Sequence, residues 1–182
     1  MCGITGFWEV PSRPEGELNE IARGMANAMA HRGPDDTGAW SDPQTGIALG
    51  HRRLSIIDLS PTGHQPMASS SGRFVIAFNG EIYNHLELRA ELDNSSNPSA
   101  LPRVVDATLK WRGHSDTETL LACFEHWGVA ATLAKTVGMF AIVLWDVQQR
   151  TLHLARDRFG EKPLYYGWTG STAGNTFVFG SE

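Results

Sequence analysis

The 182-residue sequence holds only two cysteines, Cys2 and Cys123. So sparse a set builds no disulfide framework and fits a reducing, cytoplasmic compartment. Long hydrophobic runs are also missing. The longest wholly apolar stretch, Met139 to Trp145, is far too short to cross a bilayer, so no membrane partner is expected. The first residues have neither the charged segment nor the apolar segment of a secretory signal. Basic residues are not in excess: 15 Lys and Arg against 20 Asp and Glu leave a net charge of −5. That balance lacks the electrostatic footprint of a nucleic-acid binder, and no nucleic acid is expected as a partner. Seven histidines are present, but none stand at a compact ligand spacing such as H-x-x-x-H, so no metal site is expected. What remains is an ordinary globular composition, 41% apolar and 19% charged, ample for a full hydrophobic core.

Residues 3–10 are β-branched and aromatic enough for a strand, ended by Pro11 and Pro14. Leu18, Ile21, Met25 and Met29 recur at helical spacing over 17–30, and Arg32-Gly33-Pro34 stops that helix. Segments 46–54 and 74–83 read as strands ending in polar residues, and 84–92 as a short helix. The Asn-, Ser- and Pro-rich stretch 93–102 reads as a surface loop. Ser115-Asp116-Thr117-Glu118 matches a capping box and introduces a helix through Trp127. Segments 138–147 and 151–156 pair as a hairpin, and short strands follow at 164–168 and 176–180. Clusters of strands and helices of this kind suggest antiparallel sheets covered by helices, an α+β layering.

Cys2 stands directly behind Met1. If Met1 is removed, one residue carries both a thiol and a free α-amine. A thiol of pKa about 8.5 is mostly protonated near neutrality and needs a base beside it. An α-amine titrating at about 7.7–8.0 suits that task. Alone, Cys2 is better read as an ordinary small residue near a terminus.

The segments CGITGF at 2–7, HRGPDD at 31–36, GHRRLSIIDLS at 50–60, GHQPM at 63–67, FNGEIYN at 78–84, HSDTE at 114–118 and ARDRFGEKPLYYG at 155–167 decide the matter together. In this order they resemble the glutaminase domain of class II, N-terminal-nucleophile glutamine amidotransferases, and within it the glutamine-hydrolysing asparagine synthetases. The resemblance implies a four-layer sandwich, two antiparallel sheets between helical layers, with the N-terminus at a sheet edge presenting Cys2. It implies a glutamine amidotransferase type 2 domain over 1–182, continued in a longer chain by a C-terminal ATP-dependent synthetase domain. The abrupt end at Phe177-Val178-Phe179-Gly180-Ser181-Glu182 leads to the same expectation. No cofactor is expected for this domain; ATP and Mg belong to the synthetase domain. The partners expected are L-glutamine and that domain, and a homodimer is compatible with the family.

By the same resemblance Cys2 attacks the glutamine side-chain amide, and the Asn79 side chain and Gly80 N–H stabilise the oxyanion. A glycine lets the substrate approach the backbone, although Asn-Gly is equally a type I′ hairpin turn. Arg53 binds the substrate carboxylate with its planar fork, completed by main-chain groups around Leu54 and Ile56. Arg52 points to the other face of the strand. Asp116, helped by Glu81, accepts from the substrate ammonium; its alternative is favourable placement at a helix N-terminus. His31, His51 and His64 are expected to hydrogen-bond loops around the site. Cys123 is read as a buried small residue, Arg156, Asp157 and Arg158 as a structural charge cluster, and Lys162 as outside the catalysis. Tyr165, Tyr166 and Trp168 are expected to pack in the core and on the sheet face.

One departure from the family is an extra stretch over roughly 93–111, whose closure costs little. It is similar to asparagine synthetase-like proteins of bacterial polysaccharide pathways. Three readings stay open: ammonia delivered to aspartate, ammonia delivered to another acceptor such as a carboxylated sugar, and a silent glutamine- or partner-binding regulatory domain.

Overall fold

Two antiparallel sheets face each other between helices, in a computed structural model that describes residues 1–10, 12–55, 61–95, 111–171 and 174–182. The elements run β1 (Gly3–Trp8), α1 (Glu15–Ala28), β2 (Asp36–Asp42), β3 (Ile47–Arg53), β4 (Met67–Ala68), β5 (Phe74–Ile82), α2 (His85–Ser95), α3 (Asp116–Trp127), α4 (Val129–Lys135), β6 (Gly138–Asp146), β7 (Thr151–Arg156), β8 (Tyr165–Ser171) and β9 (Gly174–Gly180). One sheet has the order β2-β3-β1-β9-β8 and the other β4-β5-β6-β7. Helix α1 covers the first, and α2 and α3 cover the second. The expected α+β four-layer sandwich is the observed one.

Strand alternation builds the layers. On β5, Phe74, Ile76 and Phe78 face Leu88, Leu92, Leu120 and Phe124 of the helices. Val75 and Ala77 face the opposite way and meet Ile4, Ile47, Leu49 and Phe179 across the seam between the sheets. Phe7 and Ala48 turn outward onto Leu18 and Ala22 of α1. The buried stripe of α1 is Leu18, Ala22 and Ala26, with Ile21 largely exposed. Small residues face the sheet because the helix lies against Gly50: a Cβ there would stand 2.6 Å from the Ala22 carbonyl oxygen.

Several expectations change. Strand β1 is the middle strand of five, paired to β3 and β9. Cys2 is therefore at the end of a central strand and not at a sheet edge. Helix α2 continues through Ser95, past the predicted loop start, and the rest of that loop lies outside the described residues. The capping box is half formed: Ser115 Oγ accepts from Glu118 N, while the Glu118 carboxylate accepts from Arg112 N and Gly113 N. Strands β2 and β4 and helix α4 carried too little periodicity to be read. Tyr165, Tyr166 and Trp168 are 62%, 71% and 69% exposed, contrary to the expected core placement, although Tyr166 and Trp168 do pack on the sheet face against Phe177. Their strand β8 is an edge, with only β9 beside it among the described residues.

Asp157 does hold a structural cluster together. Its carboxylate accepts from the backbone N–H groups of Phe140, Phe159, Glu161 and Lys162, and Arg156 clasps the same turn through the Lys162 carbonyl. Asp157→Ala leaves those donors without their acceptor, so an unfolding loss of about 3 kcal/mol is expected. Urea denaturation measures it, and a change under about 0.5 kcal/mol contradicts it.

Candidate active site

The alternation that builds the seam also selects the side chains at its open end. On β3, Ile47 and Leu49 face the seam, so His51 and Arg53 do too, while Arg52 points away and donates to the Gly33 carbonyl at 2.9 Å. On β1, Ile4 faces the seam, and Cys2 follows the same parity. On β5, Val75 and Ala77 place Asn79 on that side as well. The predicted split between Arg52 and Arg53 holds.

Cys2 is half-buried. Its sulfur accepts from Leu54 N at 3.4 Å and contacts the Leu54 carbonyl oxygen at 3.7 Å. The thiol opens on a cavity of about 190 Å³ whose wall includes Met1, Arg53, Leu54, Gln65, Asn79, Gly80, Glu81, Asp116 and Lys162. Every candidate residue within the described part of the chain therefore shares one cavity. Ile56 lies outside the described residues.

The two expected oxyanion donors are both unengaged. Asn79–Gly80 lies inside β5, not in a hairpin turn. The Asn79 side chain is 2% exposed and its Nδ2 has no acceptor among the described residues. In an antiparallel pair only alternate residues exchange hydrogen bonds with a given neighbour. Tyr83 N donates to Val137 O, so the odd residues of β5 bond to β6 and the even ones point outward. Beyond Ile76, which is paired to Met67, β4 ends. Phe78 N then donates to Gln65 Oε1 at 2.7 Å and Ile82 N to Asp116 Oδ2 at 2.9 Å. Gly80 lies between them. Its opposite residue Phe140 gives both its backbone groups to Asp157, so the Gly80 N–H has no acceptor among the described residues and faces the cavity. Glycine is required by the neighbouring strand, since a Cβ at 80 would lie 2.2 Å from the Met139 carbonyl oxygen.

Charge of both signs lines the same space. Asp116 is 5% exposed. Burial raises its carboxyl above the ordinary range, against the opposing pull of the Ile82 N–H, the nearby His85 and the Thr117 N–H. Its oxygens keep lone pairs for a further donor. Arg53 is buried with Gly63 packed on its guanidinium: a Cβ on Gly63 would stand 2.1 Å from Nη2. Arg53 and Asp116 thus set opposite charges in the wall of one cavity.

The histidines divide. His51 is fully buried and bonds Phe78 O at 3.0 Å. His64 pairs with Asp36 at 2.7 Å, and His31 with Glu182 at 3.0 Å on the surface. Cys123 is buried, as expected, and burial pushes its thiol up to about 12. Lys162, read as outside the catalysis, is in the cavity wall with Nζ 3.7 Å from Met1 Sδ. Gln65 was missed outright. A lone glutamine in GHQPM carries no local signal; only the distant strand it bonds gives it meaning.

Comparison with known proteins shows the family. A family model described as a glutamine amidotransferase domain matches residues 1–182. A putative glutamine-hydrolysing asparagine synthetase of Mycobacterium tuberculosis H37Rv is 42% identical over 98% of this chain. Asparagine synthetase 1 of Bacillus subtilis is 38% identical over the whole chain. An amidase, chry2, of Gibberella zeae is 36% identical over 91% of it. The chain spans only about a quarter of each relative's length, 26%, 26% and 24%. Among solved structures, the glutamine phosphoribosylpyrophosphate amidotransferase of B. subtilis superposes with a TM-score of 0.69. It covers all of this chain and 42% of the other at 21% identity, and so shares the fold. Matched along its entire length, the chain belongs to the glutamine amidotransferase domain family.

Proposed function

We propose that this chain hydrolyses L-glutamine to glutamate and ammonia through a thioester on Cys2. The ammonia then passes to an ATP-dependent synthetase domain, which uses ATP and Mg to amidate aspartate to asparagine. The observation that carries the reading is one cavity holding the Cys2 thiol, two unengaged donors at Asn79 and Gly80, and the charges of Arg53 and Asp116. The synthetase partner is inferred from the printed names of the relatives and from their fourfold greater length.

With Met1 attached, the Cys2 nitrogen is an amide and cannot serve as a base, and Met1 itself stands in the cavity wall. Its removal frees the amine. The amine takes the thiol proton as sulfur bonds to the side-chain amide carbon, and the carbonyl electrons move to oxygen facing Asn79 Nδ2 and Gly80 N–H. Donors already aimed at that position stabilise developing charge without reorganising. Collapse of the intermediate breaks the C–N bond, and the ammonium returns its proton to the departing nitrogen, which leaves as ammonia. Water, deprotonated by the same amine, cleaves the thioester and regenerates the thiol with glutamate. Arg53, with the main chain of Leu54, holds the α-carboxylate. Asp116 and Glu81 hold the ammonium.

Cys2→Ala is expected to abolish glutamate release, and the intact mass of the active chain to lack Met1. Turnover in the variant, or full activity with Met1 retained, rules the mechanism out.

Asp116 sets the acid limb. Because burial raises its carboxyl, it gains a proton and loses its charge at a higher pH than an ordinary aspartate. The KM for glutamine should therefore rise on acidification while pH is still above the usual Asp range near 3.9. In Asp116→Asn the KM should be high and flat over that interval. A wild-type KM constant down to pH 4 contradicts the assignment.

A further inference from the structure

Both backbone groups of Phe78, the residue before Asn79, are held by buried side chains from outside its sheet. Its N–H donates to Gln65 Oε1 at 2.7 Å, and its carbonyl accepts from His51 Nε2 at 3.0 Å. Gln65 is 6% exposed and His51 fully buried. They come from different parts of the chain: His51 reaches across the seam from β3, and Gln65 leads into β4. The far end of Gln65 donates to Thr117 Oγ1 at 3.5 Å, in the first turn of α3 beside Asp116.

From these contacts we infer that Gln65 and His51 are positioning residues, clamping β5 at Phe78 so that Asn79 Nδ2 and the Gly80 N–H stand fixed toward the Cys2 thiol. The inference rests on the glutaminase reading for its catalytic consequence, but the clamp is a property of the unliganded chain.

The physical need is local. Past Ile76 the outer edge of β5 has no strand beside it among the described residues, so β6 holds it from one edge only and the outer edge depends on side chains. Oxyanion donors work at about 2.7–3.1 Å from the developing charge, and a misplacement of about 1 Å costs on the order of 100-fold in rate. A flexible edge would forfeit that. The Phe78 carbonyl only accepts, so Nε2 of His51 must carry the proton and Nδ1 is bare; Nδ1 has no partner among the described residues. Burial, partly offset by the Phe78 bond, lowers the imidazole pKa to about 4. His51 thus stays a neutral donor across the working pH.

Gln65 also lines the cavity, so direct contact with substrate is the rival reading, and plain fold stability is another. Three variants of the Met1-processed chain separate them. Gln65→Met keeps length but loses the acceptor, Gln65→Glu restores an oxygen facing Phe78 N–H, and His51→Leu removes the donor. Two kinds of readout are needed. Amide hydrogen exchange over 74–82 without ligand reads the clamp. Steady-state glutaminase kinetics, with inhibition by the γ-aldehyde of glutamate and by L-glutamate, reads its consequence, because the aldehyde forms an oxyanion on Cys2 and glutamate does not.

Gln65→Met and His51→Leu should speed exchange at 78–82 by about tenfold or more while exchange in β1 and β3 stays unchanged. They should lower kcat about 10- to 100-fold with KM within twofold. Aldehyde inhibition should weaken by the same factor as kcat, glutamate inhibition should not, and Gln65→Glu should regain most of the loss. A parallel rise in KM and in the glutamate inhibition constant makes Gln65 a substrate contact and overturns the inference. So does uniform acceleration of exchange across both sheets, or unchanged exchange at 78–82. A wild type with a protected strand and no glutamate release would remove the glutaminase reading and leave the clamp standing.

Discussion

A buried backbone N–H must find an acceptor, and β5 runs on for six residues after its outer neighbour β4 has ended opposite Ile76. Three outward donors follow, at Phe78, Gly80 and Ile82. Leaving such a group unpaired costs on the order of 1–3 kcal/mol. The chain answers at two of them with side chains, Gln65 and Asp116, and leaves the middle one facing the cavity. An unmade hydrogen bond of this kind, flanked by two that are made, is the donor that the proposed mechanism assigns to the substrate oxygen. Much of the site follows from that single unfilled edge, including the placement of Asp116, which anchors Ile82 and lines the pocket at once.

The second ingredient is parity. Two sheets stacked face to face bury one side of every strand, and at the end of β1, β3 and β5 the buried side is polar: Cys2, His51 with Arg53, and Asn79. Cys2 and Asn79 lie far apart in sequence yet meet because each keeps the register of the apolar residues behind it, Ile4 for one and Val75 with Ala77 for the other. Slippage by one residue on any of the three strands would turn its functional side chain to the wrong face. The apolar seam thus specifies the geometry of the polar site. Asp157 and the half-formed cap at Ser115 then fix the turn bearing Lys162 and the start of α3.

Much of this was readable residue by residue. The strand 3–10 announced itself by β-branched and aromatic composition, 46–54 and 74–83 as runs ending in polar residues, 138–147 as one arm of a hairpin, and Arg52 separated from Arg53 by simple alternation. Motif resemblance then singled out Cys2, Arg53, Asn79, Gly80 and Asp116, which do share a cavity. The misreadings have a common cause. Tyr165, Tyr166 and Trp168 look like core residues, but whether an aromatic is covered depends on what lies opposite, and β8 turned out to be an edge. Glu118 fits a capping box, yet a competing pair of N–H groups at Arg112 and Gly113 takes its carboxylate.

The linear chain by itself determined the layered α+β architecture and the chemical inventory, a leading thiol with donors and charges suited to an amino-acid amide, because these depend on local periodicity and residue type. Tertiary structure alone decided that β1 is the central strand, that Lys162 and Gln65 stand in the cavity, that the Gly80 N–H has no acceptor among the described residues, and that both backbone groups of Phe78 are held by side chains. Those facts depend on which backbone groups are left over once the sheets have paired, and no stretch of sequence contains its own partner.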